Sequence, residues 1–289
     1  MRWTDRGRSR NLEDRRGASG GGRLPGGMGR LGVGGIIVIL LISFVTKTNP
    51  LALIGMVEGS GLAGGAPAAA PAPVEDAAEE PMVRFVSFVL DDAQATWRQL
   101  FAQQGRTYED ATLVLFRDQV ASACGGASAA VGPFYCPGDH KVYIDLGFFD
   151  ELSRRFGAPG DFAQAYVLAH EIGHHVQALL GTNAEVQQLQ RRRPELANRA
   201  SVALELQADC YAGVWAHFTA RRDLLEAGDV QEGLGAAAAV GDDRIQQQSQ
   251  GRVSPESFTH GSSAQRVEWF ERGLQRGTPE ACDTFRGGR

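Results

Sequence analysis

The spacing of hydrophobic and polar residues divides the chain into an irregular N-terminal part and a regular C-terminal part. Residues 31–45 form an uncharged apolar run, and a second apolar patch follows at residues 51–57. Residues 58–82 are mostly Gly, Ala, Pro and acidic residues, a composition typical of a linker. Beyond them, hydrophobic residues recur at the spacing of amphipathic helices and short strands. The pattern therefore predicts one folded domain over residues 83–289.

The folded part is predicted to be α+β, mostly helical with a small sheet. Thr112–Phe116 and Lys141–Leu146 are short, β-branched and aromatic, and both predict strands. Asp161, followed by Gln164 three residues later, resembles a capping box that opens a helix closed by Gly181. Further helices are predicted from near Asp91 or Asp92 and near residues 184–193, 195–220, 222–248 and 263–275.

The apolar run of residues 31–45 predicts one transmembrane helix. Its fifteen residues would rise about 22 Å, and snorkelling of Lys47 with local thinning of the bilayer covers the difference from a hydrocarbon core of roughly 30 Å. Eight Arg precede the run, whereas only Lys47 follows it closely, so the positive-inside rule predicts a cytoplasmic N-terminus and an exported domain. A buried core helix and a cleaved signal peptide are the alternatives.

We therefore expect a protein of the inner cell membrane with four regions. Residues 1–30 would be a flexible basic cytoplasmic tail, because their apolar content is too low to offset the entropy of ordering. Residues 31–57 would be the transmembrane anchor region, in contact with membrane lipid, and residues 58–82 the linker. Residues 83–289 would form a periplasmic or extracytoplasmic domain. Residues 1–30 carry eight Arg and three acids, so the remainder has a net charge of −10, which argues against a nucleic-acid partner.

The four cysteines favour an oxidising compartment. Cys124, Cys136, Cys210 and Cys282 are even in number, lie in the exported part and form no C-x-x-C pair. Three connectivities exist for two disulfides, and we prefer Cys124 with Cys136, which closes a Gly/Ala-rich loop, and Cys210 with Cys282, which ties the C-terminal tail to a helix. Four buried free thiols are the alternative.

The predicted helix that ends at Gly181 contains the motif His170-Glu171-Ile172-Gly173-His174. Four residues of an α-helix turn the chain by about 400°, so both histidines project from one face and can reach one metal ion. Glu171 points about 100° away from them, where a carboxylate can act as a base without becoming a ligand. The motif therefore predicts a zinc site with Glu171 as general base.

A third protein ligand is expected on a later helix. Glu205 and Asp209 stand at positions i and i+4 in an apolar stretch, residues 201–219. A return helix would place Glu205 opposite the two histidines and Asp209 where it accepts the other ring proton of His170. Acids at this spacing also occur on solvated helix faces, so the upstream motif strengthens the ligand interpretation.

Several motifs resemble the bacterial neutral zinc metallopeptidase family of single-span membrane proteins. H-E-I-G-H-H-V-Q and E-L-Q-A-D carry the resemblance, and G-P-F-Y-C-P, K-V-Y-I-D-L, H-G-S-S-A-Q-R and the N-terminal R-W-x-D-R-x-R-S-x-N-x-E-D-R-R look like other blocks of that family. The resemblance implies a zincin-like metallopeptidase domain with a gluzincin-type site. The resemblance also implies that His170, His174 and Glu205 are the zinc ligands and that Glu171 is the general base.

Other residues are candidates for supporting roles. His260 could donate a hydrogen bond to the oxyanion of a tetrahedral intermediate, and a structural cap is its alternative. Arg266 could orient Asp209 or a substrate carboxylate, with a surface salt bridge as the alternative. Tyr211 is a weaker oxyanion candidate, because an aromatic residue there is more often core. Residues 142–146 could be an edge strand that pairs with an extended substrate, or an ordinary internal strand.

The sequence thus predicts a membrane-anchored zinc metalloendopeptidase that holds one Zn2+ and no organic cofactor. Its substrate would be a peptide or an unfolded protein. Two alternatives stay open. One is a catalytically silent zinc-binding scaffold or assembly factor of the cell envelope, and the other is an amidase acting on cell-wall peptide.

Overall fold

The computed structural model describes residues 1–17 and 77–285. The helices in these ranges are α1 (Glu80–Gln103), α2 (Gly147–Arg154), α3 (Asp161–Leu180), α4 (Thr182–Arg192), α5 (Ala197–Arg221), α6 (Asp229–Ala239), α7 (Asp242–Gln250) and α8 (Ser263–Arg276). The strands are β1 (Leu12–Asp14), β2 (Thr112–Phe116), β3 (Gln119–Ser122), β4 (Gly125–Ser128), β5 (Phe134–Cys136) and β6 (Lys141–Asp145). The prediction of a mostly helical α+β fold with a small sheet is confirmed.

Strands β2 and β6 form the centre of a four-stranded sheet with the order β1-β2-β6-β5. β1 and β6 pair parallel with β2, whereas β5 pairs antiparallel with β6. One face of the two central strands joins the main hydrophobic core, and the other joins a smaller apolar cluster. The expectation that β6 is an edge strand is therefore wrong, because β5 covers it and is itself the edge. Strands β3 and β4 form a separate hairpin.

Helix α3 is packed against α1, α5 and α6, and α5 in turn packs closely against α8. Two glycines permit the α5–α8 contact. A Cβ atom at Gly213 would lie 2.1 Å from the carbonyl oxygen of Phe270, and one at Gly273 would lie 2.0 Å from that of Cys210. The backbones of α5 and α8 therefore approach to a distance that larger residues would prevent. This approach brings the start of α8 to the face of α5 that meets α3.

The structure does not support the predicted transmembrane helix. Among the helices of residues 1–17 and 77–285, none combines the length and apolar character that crossing a bilayer requires. Residues 31–57, to which the span was assigned, and residues 58–76 of the linker predicted at residues 58–82 lie outside the described ranges. Residues 80–82 of that linker already belong to α1. The fold that the structure supports is α+β, mostly helical with a small sheet.

The N-terminal residues also differ from expectation, because residues 1–17 pack on the domain instead of forming a free tail. β1 adds a strand to the sheet, and the Trp3 ring packs edge-on against Phe85 with ring centroids 5.6 Å apart. Arg16 is buried between the carboxylates of Asp14 and Glu79. The prediction of a flexible tail is therefore wrong for residues 1–17, while residues 18–30 lie outside the described ranges.

The physical reason is that this segment is held by polar interactions. Its backbone joins the sheet ladder and its arginines pair with acidic residues of the domain, such as Arg8 with Glu80. An estimate based on apolar content counts neither contribution.

Several predicted boundaries shift, whereas both preferred disulfides are confirmed. Helix α1 begins at Glu80 rather than near Asp91, and the predicted helical stretch 222–248 is divided into α6 and α7. Cys124 is bonded to Cys136, and Cys210 is bonded to Cys282. The first bond links the β3–β4 hairpin to β5. The second fixes the C-terminal segment to α5.

Candidate metal centre

The motif helix is α3, and it ends at Gly181, whose φ of 87° is the left-handed conformation that favours glycine. His170 and His174 lie on one face of α3 with ring centroids 4.7 Å apart. Helix α5 runs past this face and presents Glu205. The three side chains offer ligand atoms that lie within 4.8 Å of one another. The structure thus brings together the three residues that the sequence selected as metal ligands.

Gly173, inside the motif, sets how closely α5 can approach α3. A Cβ atom at this position would lie 2.9 Å from the carbonyl oxygen of Ala208, closer than side-chain carbons come to backbone oxygens. Ala208 lies between Glu205 and Asp209 on the facing side of α5. The absence of a side chain at Gly173 therefore lets both acids of α5 reach the two histidines.

The spacing of the donor atoms fits zinc. Nε2 of His170 and Nε2 of His174 lie 3.2 Å and 3.4 Å from the two carboxylate oxygens of Glu205. Donor atoms about 2.0 Å from a zinc ion in a tetrahedron are roughly 3.3 Å apart. Two imidazoles and one carboxylate are also a ligand set that catalytic zinc sites use, with the fourth position open.

The charges of the three groups agree with this fit. In each histidine the Nδ1 atom faces an acceptor, so Nδ1 carries a proton and, in the neutral ring, the Nε2 lone pair faces Glu205. A lone pair and a carboxylate repel unless a cation or a proton lies between them. Burial lowers the pKa of His170, but the charge and hydrogen bonds of Asp209 and Glu205 outweigh it and raise that pKa to about 9. The acidic residues of the pocket therefore stabilise a positive charge beside the two histidines.

A charged network supports His170 from behind. Nδ1 of His170 lies 2.8 Å from Oδ1 of Asp209. Arg266 donates from Nε and Nη2 to the two oxygens of Asp209 at 2.7 Å and 2.8 Å, and the Tyr166 hydroxyl donates to Oδ1. Asp209, Arg266 and Tyr166 are all buried. The structure therefore places Asp209 and Arg266 where the sequence suggested, and it adds Tyr166.

Glu171 is buried beside the two histidines. Its burial raises the pKa of the carboxyl above its ordinary value of 4.5, against the lowering effect of charge on His174 and His170. Glu205 behaves in the opposite way, because the charge of His174 and hydrogen bonds from both histidines outweigh burial and hold its pKa well below 4.5. The pKa values of the two carboxyl groups are therefore shifted in opposite directions. Glu205 stays ionised for a metal, and Glu171 is the more basic of the two.

His260 stands on the loop before α8. Asp242, the first residue of α7, accepts hydrogen bonds from the backbone N–H groups of Thr259, His260 and Gly261. Its other oxygen lies 3.1 Å from Nδ1 of His260. The side chain of His260 is 47% exposed, and a positive charge on it helps to lower the pKa of Glu205. Asp242 thus orients the His260 ring and leaves Nε2 free of this contact.

Tyr211 is not part of the centre. It is buried in the main hydrophobic core, where its ring packs edge-on against Trp97 with centroids 5.1 Å apart. The core interpretation of Tyr211 is therefore the one that the structure supports. The capping role at the start of α8 belongs to Ser262, which forms a capping box with Gln265.

Sequence reasoning missed Tyr166, Gln177 and Asp242. Tyr166 precedes His170 by four residues and Gln177 follows His174 by three, so helical spacing alone could have placed both on the ligand face. Gln177 accepts a hydrogen bond from His174, with 2.9 Å between Oε1 and Nδ1. Asp242 lies 18 residues from His260, and no local pattern marks it.

Comparison with known proteins assigns this α+β metal-site domain to a family. Residues 1–285 match the family described as "putative neutral zinc metallopeptidase", and the chain belongs to that family. The Escherichia coli (strain K12) protein YpfJ, described as uncharacterized, is 47% identical over 288 residues, 99% of each chain. Rv2575 of Mycobacterium tuberculosis, likewise described as uncharacterized, is 47% identical over 206 residues, 68% of each chain. No solved structure matches the chain with significance.

Proposed function

We propose that the protein is a zinc metalloendopeptidase that holds one zinc ion on His170, His174 and Glu205 and cleaves peptide bonds with Glu171 as general base. The observation that carries the proposal is the arrangement of three donors spaced for zinc beside a buried carboxylate of raised pKa. Membership of the family agrees with peptide substrates. The lipid contact expected from an N-terminal anchor is not part of this proposal.

Each residue of the site has a separate role in the proposed reaction. A bound zinc ion supplies Lewis acidity and lowers the pKa of water. Glu171 accepts the proton of the attacking water and returns it to the leaving amine, and its raised pKa suits both steps. His260 donates a hydrogen bond to the developing oxyanion, and Asp242 holds the His260 ring in position. Glu205 keeps its charge throughout.

Substitution of Glu171 by Gln tests the mechanism. In the full-length chain, Glu171→Gln should retain zinc, because Glu171 is not a ligand, but should lose cleavage of an unstructured peptide library by a factor of about 100 or more. Zinc content and cleavage products are measured for both proteins. Near-normal turnover in the variant would contradict the role of Glu171. Full-length protein is required because residues 1–17 are part of the folded domain.

The two alternatives predict different results in the same assay. A silent scaffold would bind zinc and leave every peptide intact. A cell-wall amidase would release products from purified cell-wall fragments but not from casein. Cleavage of casein by the wild type, lost in Glu171→Gln, would exclude both alternatives.

We also propose that the domain works in an oxidising compartment outside the cytoplasm. Two disulfides support this location, because such bonds persist in extracytoplasmic compartments and are rare in the cytosol. Alkylation of thiols immediately after cell lysis should leave all four cysteines unmodified. Four alkylated cysteines would contradict the proposal.

A further inference from the structure

Two glutamines in the metal-site motifs have no part in the mechanism above. Gln177 ends H-E-I-G-H-H-V-Q, and Gln207 stands between Glu205 and Asp209 in E-L-Q-A-D. Their exposed fractions are 0% and 7%. Glutamine is seldom buried without partners, since its amide offers two donors and an acceptor that must be satisfied. The partners of these two residues form a single chain of hydrogen bonds.

The chain begins at the second histidine of the motif. Nδ1 of His174 lies 2.9 Å from Oε1 of Gln177. Nε2 of Gln177 donates to Oε1 of Gln207 at 3.1 Å and to the carbonyl oxygen of Leu204 at 2.7 Å. Nε2 of Gln207 donates to the carbonyl oxygen of Cys282 at 3.0 Å. We call Gln177 and Gln207, with the bonds from His174 to Cys282, the amide relay.

The two backbone carbonyls fix the direction of the amide relay. A carbonyl oxygen can only accept, so the NH2 group of Gln207 must face Cys282 and that of Gln177 must face Leu204. Each side-chain oxygen then points back toward His174. Nδ1 of His174 must therefore donate, which leaves the lone pair of its Nε2 for a metal. The amide relay selects the tautomer that metal binding requires.

The far end of the amide relay depends on a disulfide. Cys282 lies in a short 3-10 turn (Pro279–Cys282), and its bond to Cys210 joins that turn to α5. Both sulfur-bearing residues are fully buried. Two residues beyond, Thr284 donates to the carbonyl oxygen of Ala203 at 2.6 Å. The C-terminal segment is thus held against α5, where the Cys282 carbonyl meets Gln207.

We propose that Gln177 and Gln207 are positioning residues that hold His174 ready for zinc, and that the Cys210–Cys282 disulfide supports zinc affinity through the Cys282 carbonyl. The proposal rests on the zinc site proposed above but not on peptide cleavage. It assigns a role in metal binding to a C-terminal segment that contributes no ligand. It also gives the two disulfides different roles, because Cys124–Cys136 is joined to the β3–β4 hairpin and not to the relay.

The zinc affinity of full-length variants, measured by competition with a chromophoric chelator, tests the relay. Gln177→Met keeps the size of the side chain and removes both ends of the amide, and it should weaken zinc binding about 10- to 100-fold. Gln207→Met, one bond further away, should weaken it by a smaller factor. Gln94→Met is the matched control. Gln94 is also fully buried and hydrogen-bonded, to the N–H of Ala111, but it is not in the relay.

A merely structural role of the glutamines would lower the melting temperature of all three variants and leave zinc affinity unchanged. That result would overturn the relay. Zinc binding by the wild type without cleavage of any peptide would overturn the peptidase function, while the loss of affinity in Gln177→Met would still support the relay. A wild-type protein that binds no zinc would overturn both.

The disulfide is tested by a cycle of variants. The pair Cys210→Ala with Cys282→Ala should weaken zinc binding, and it should cause little further loss when Gln207→Met is already present. The pair Cys124→Ala with Cys136→Ala should leave the affinity unchanged. Equal effects of the two pairs, or full additivity with Gln207→Met, would overturn the coupling. If the double variant of Cys210 and Cys282 does not fold, the zinc affinity of Gln207→Met alone tests the relay, because the disulfides of that variant are intact.

Discussion

The two histidines of the metal centre have supports of opposite character. Behind His170 stand an ionised carboxylate and a guanidinium, Asp209 and Arg266, both buried. Behind His174 stand neutral amides, those of Gln177 and Gln207. A carboxylate makes its histidine a more basic ligand but needs a counter-charge when buried. The amide relay needs no counter-charge, yet it depends on a distant segment to fix its direction.

Each half of the site is sensitive to the loss of different contacts. The His170 support is confined to three helices, α3, α5 and α8, and each of its members contacts another directly. The His174 support reaches from α3 through α5 to the C-terminal turn. Loss of one charged partner leaves an uncompensated charge, whereas loss of one amide leaves an unpaired dipole. The two sides should therefore respond to substitution by different amounts.

Removal of the guanidinium should have the largest effect on stability. Arg266→Met leaves Asp209 buried without its ion-pair partner and should lower the free energy of unfolding by about 3–5 kcal/mol. The corresponding change on the other side, Gln177→Met, removes the hydrogen bonds to His174, Leu204 and Gln207. It leaves only uncharged groups without this partner and should cost about 1–3 kcal/mol. Denaturant unfolding of the chelator-treated proteins measures both.

A double variant is the control for this prediction. Asp209→Asn combined with Arg266→Met removes both charges, so it should recover part of the stability that Arg266→Met loses. A cost for Arg266→Met no larger than that of Gln177→Met would mean that the charged and neutral supports contribute equally to stability.

The local part of the site could be predicted from the sequence, whereas the contacts between residues distant in sequence could not. His170, Glu171 and His174 follow from helical spacing, and Glu205 with Asp209 follows from the same rule on a second helix. Gln177 obeys this spacing too, whereas Gln207 stands two residues from both Glu205 and Asp209 and does not. An amide on a helix also has no signature until its partners are known. Their partners include a backbone carbonyl 75 residues away from Gln207, which no periodicity reports.

The N-terminal residues show the same limit in the fold. Arg8 and Arg16 read as a solvated basic tail when only composition is considered. In the structure they pair with Glu80 and Glu79 at the start of α1, across a stretch of sequence that local patterns cannot bridge. The pairing of the two disulfides could be predicted from the sequence because only three pairings exist for four cysteines.

A smaller effect is expected at the residue that both supports share. Gly173 lies between the two histidines, and the close approach of α5 that it permits delivers Asp209 to one support and Gln207 to the other. Gly173→Ala places a Cβ atom 2.9 Å from the backbone oxygen of Ala208, so the helices must separate, at a cost of about 1–3 kcal/mol. Zinc affinity should fall as well, because Glu205 moves away from both histidines.

Gly235→Ala is the matched control. Gly235 lies in the interior of α6 with nothing within 4 Å of an added Cβ atom, so alanine there should stabilise the protein by about 0.5–1 kcal/mol. Unfolding free energy and zinc affinity are measured for both variants. If Gly173→Ala were as stable as Gly235→Ala and bound zinc as tightly, the separation of α3 and α5 would not control the site. A loss at Gly173 alone would show that the charged and neutral supports depend on one helix contact.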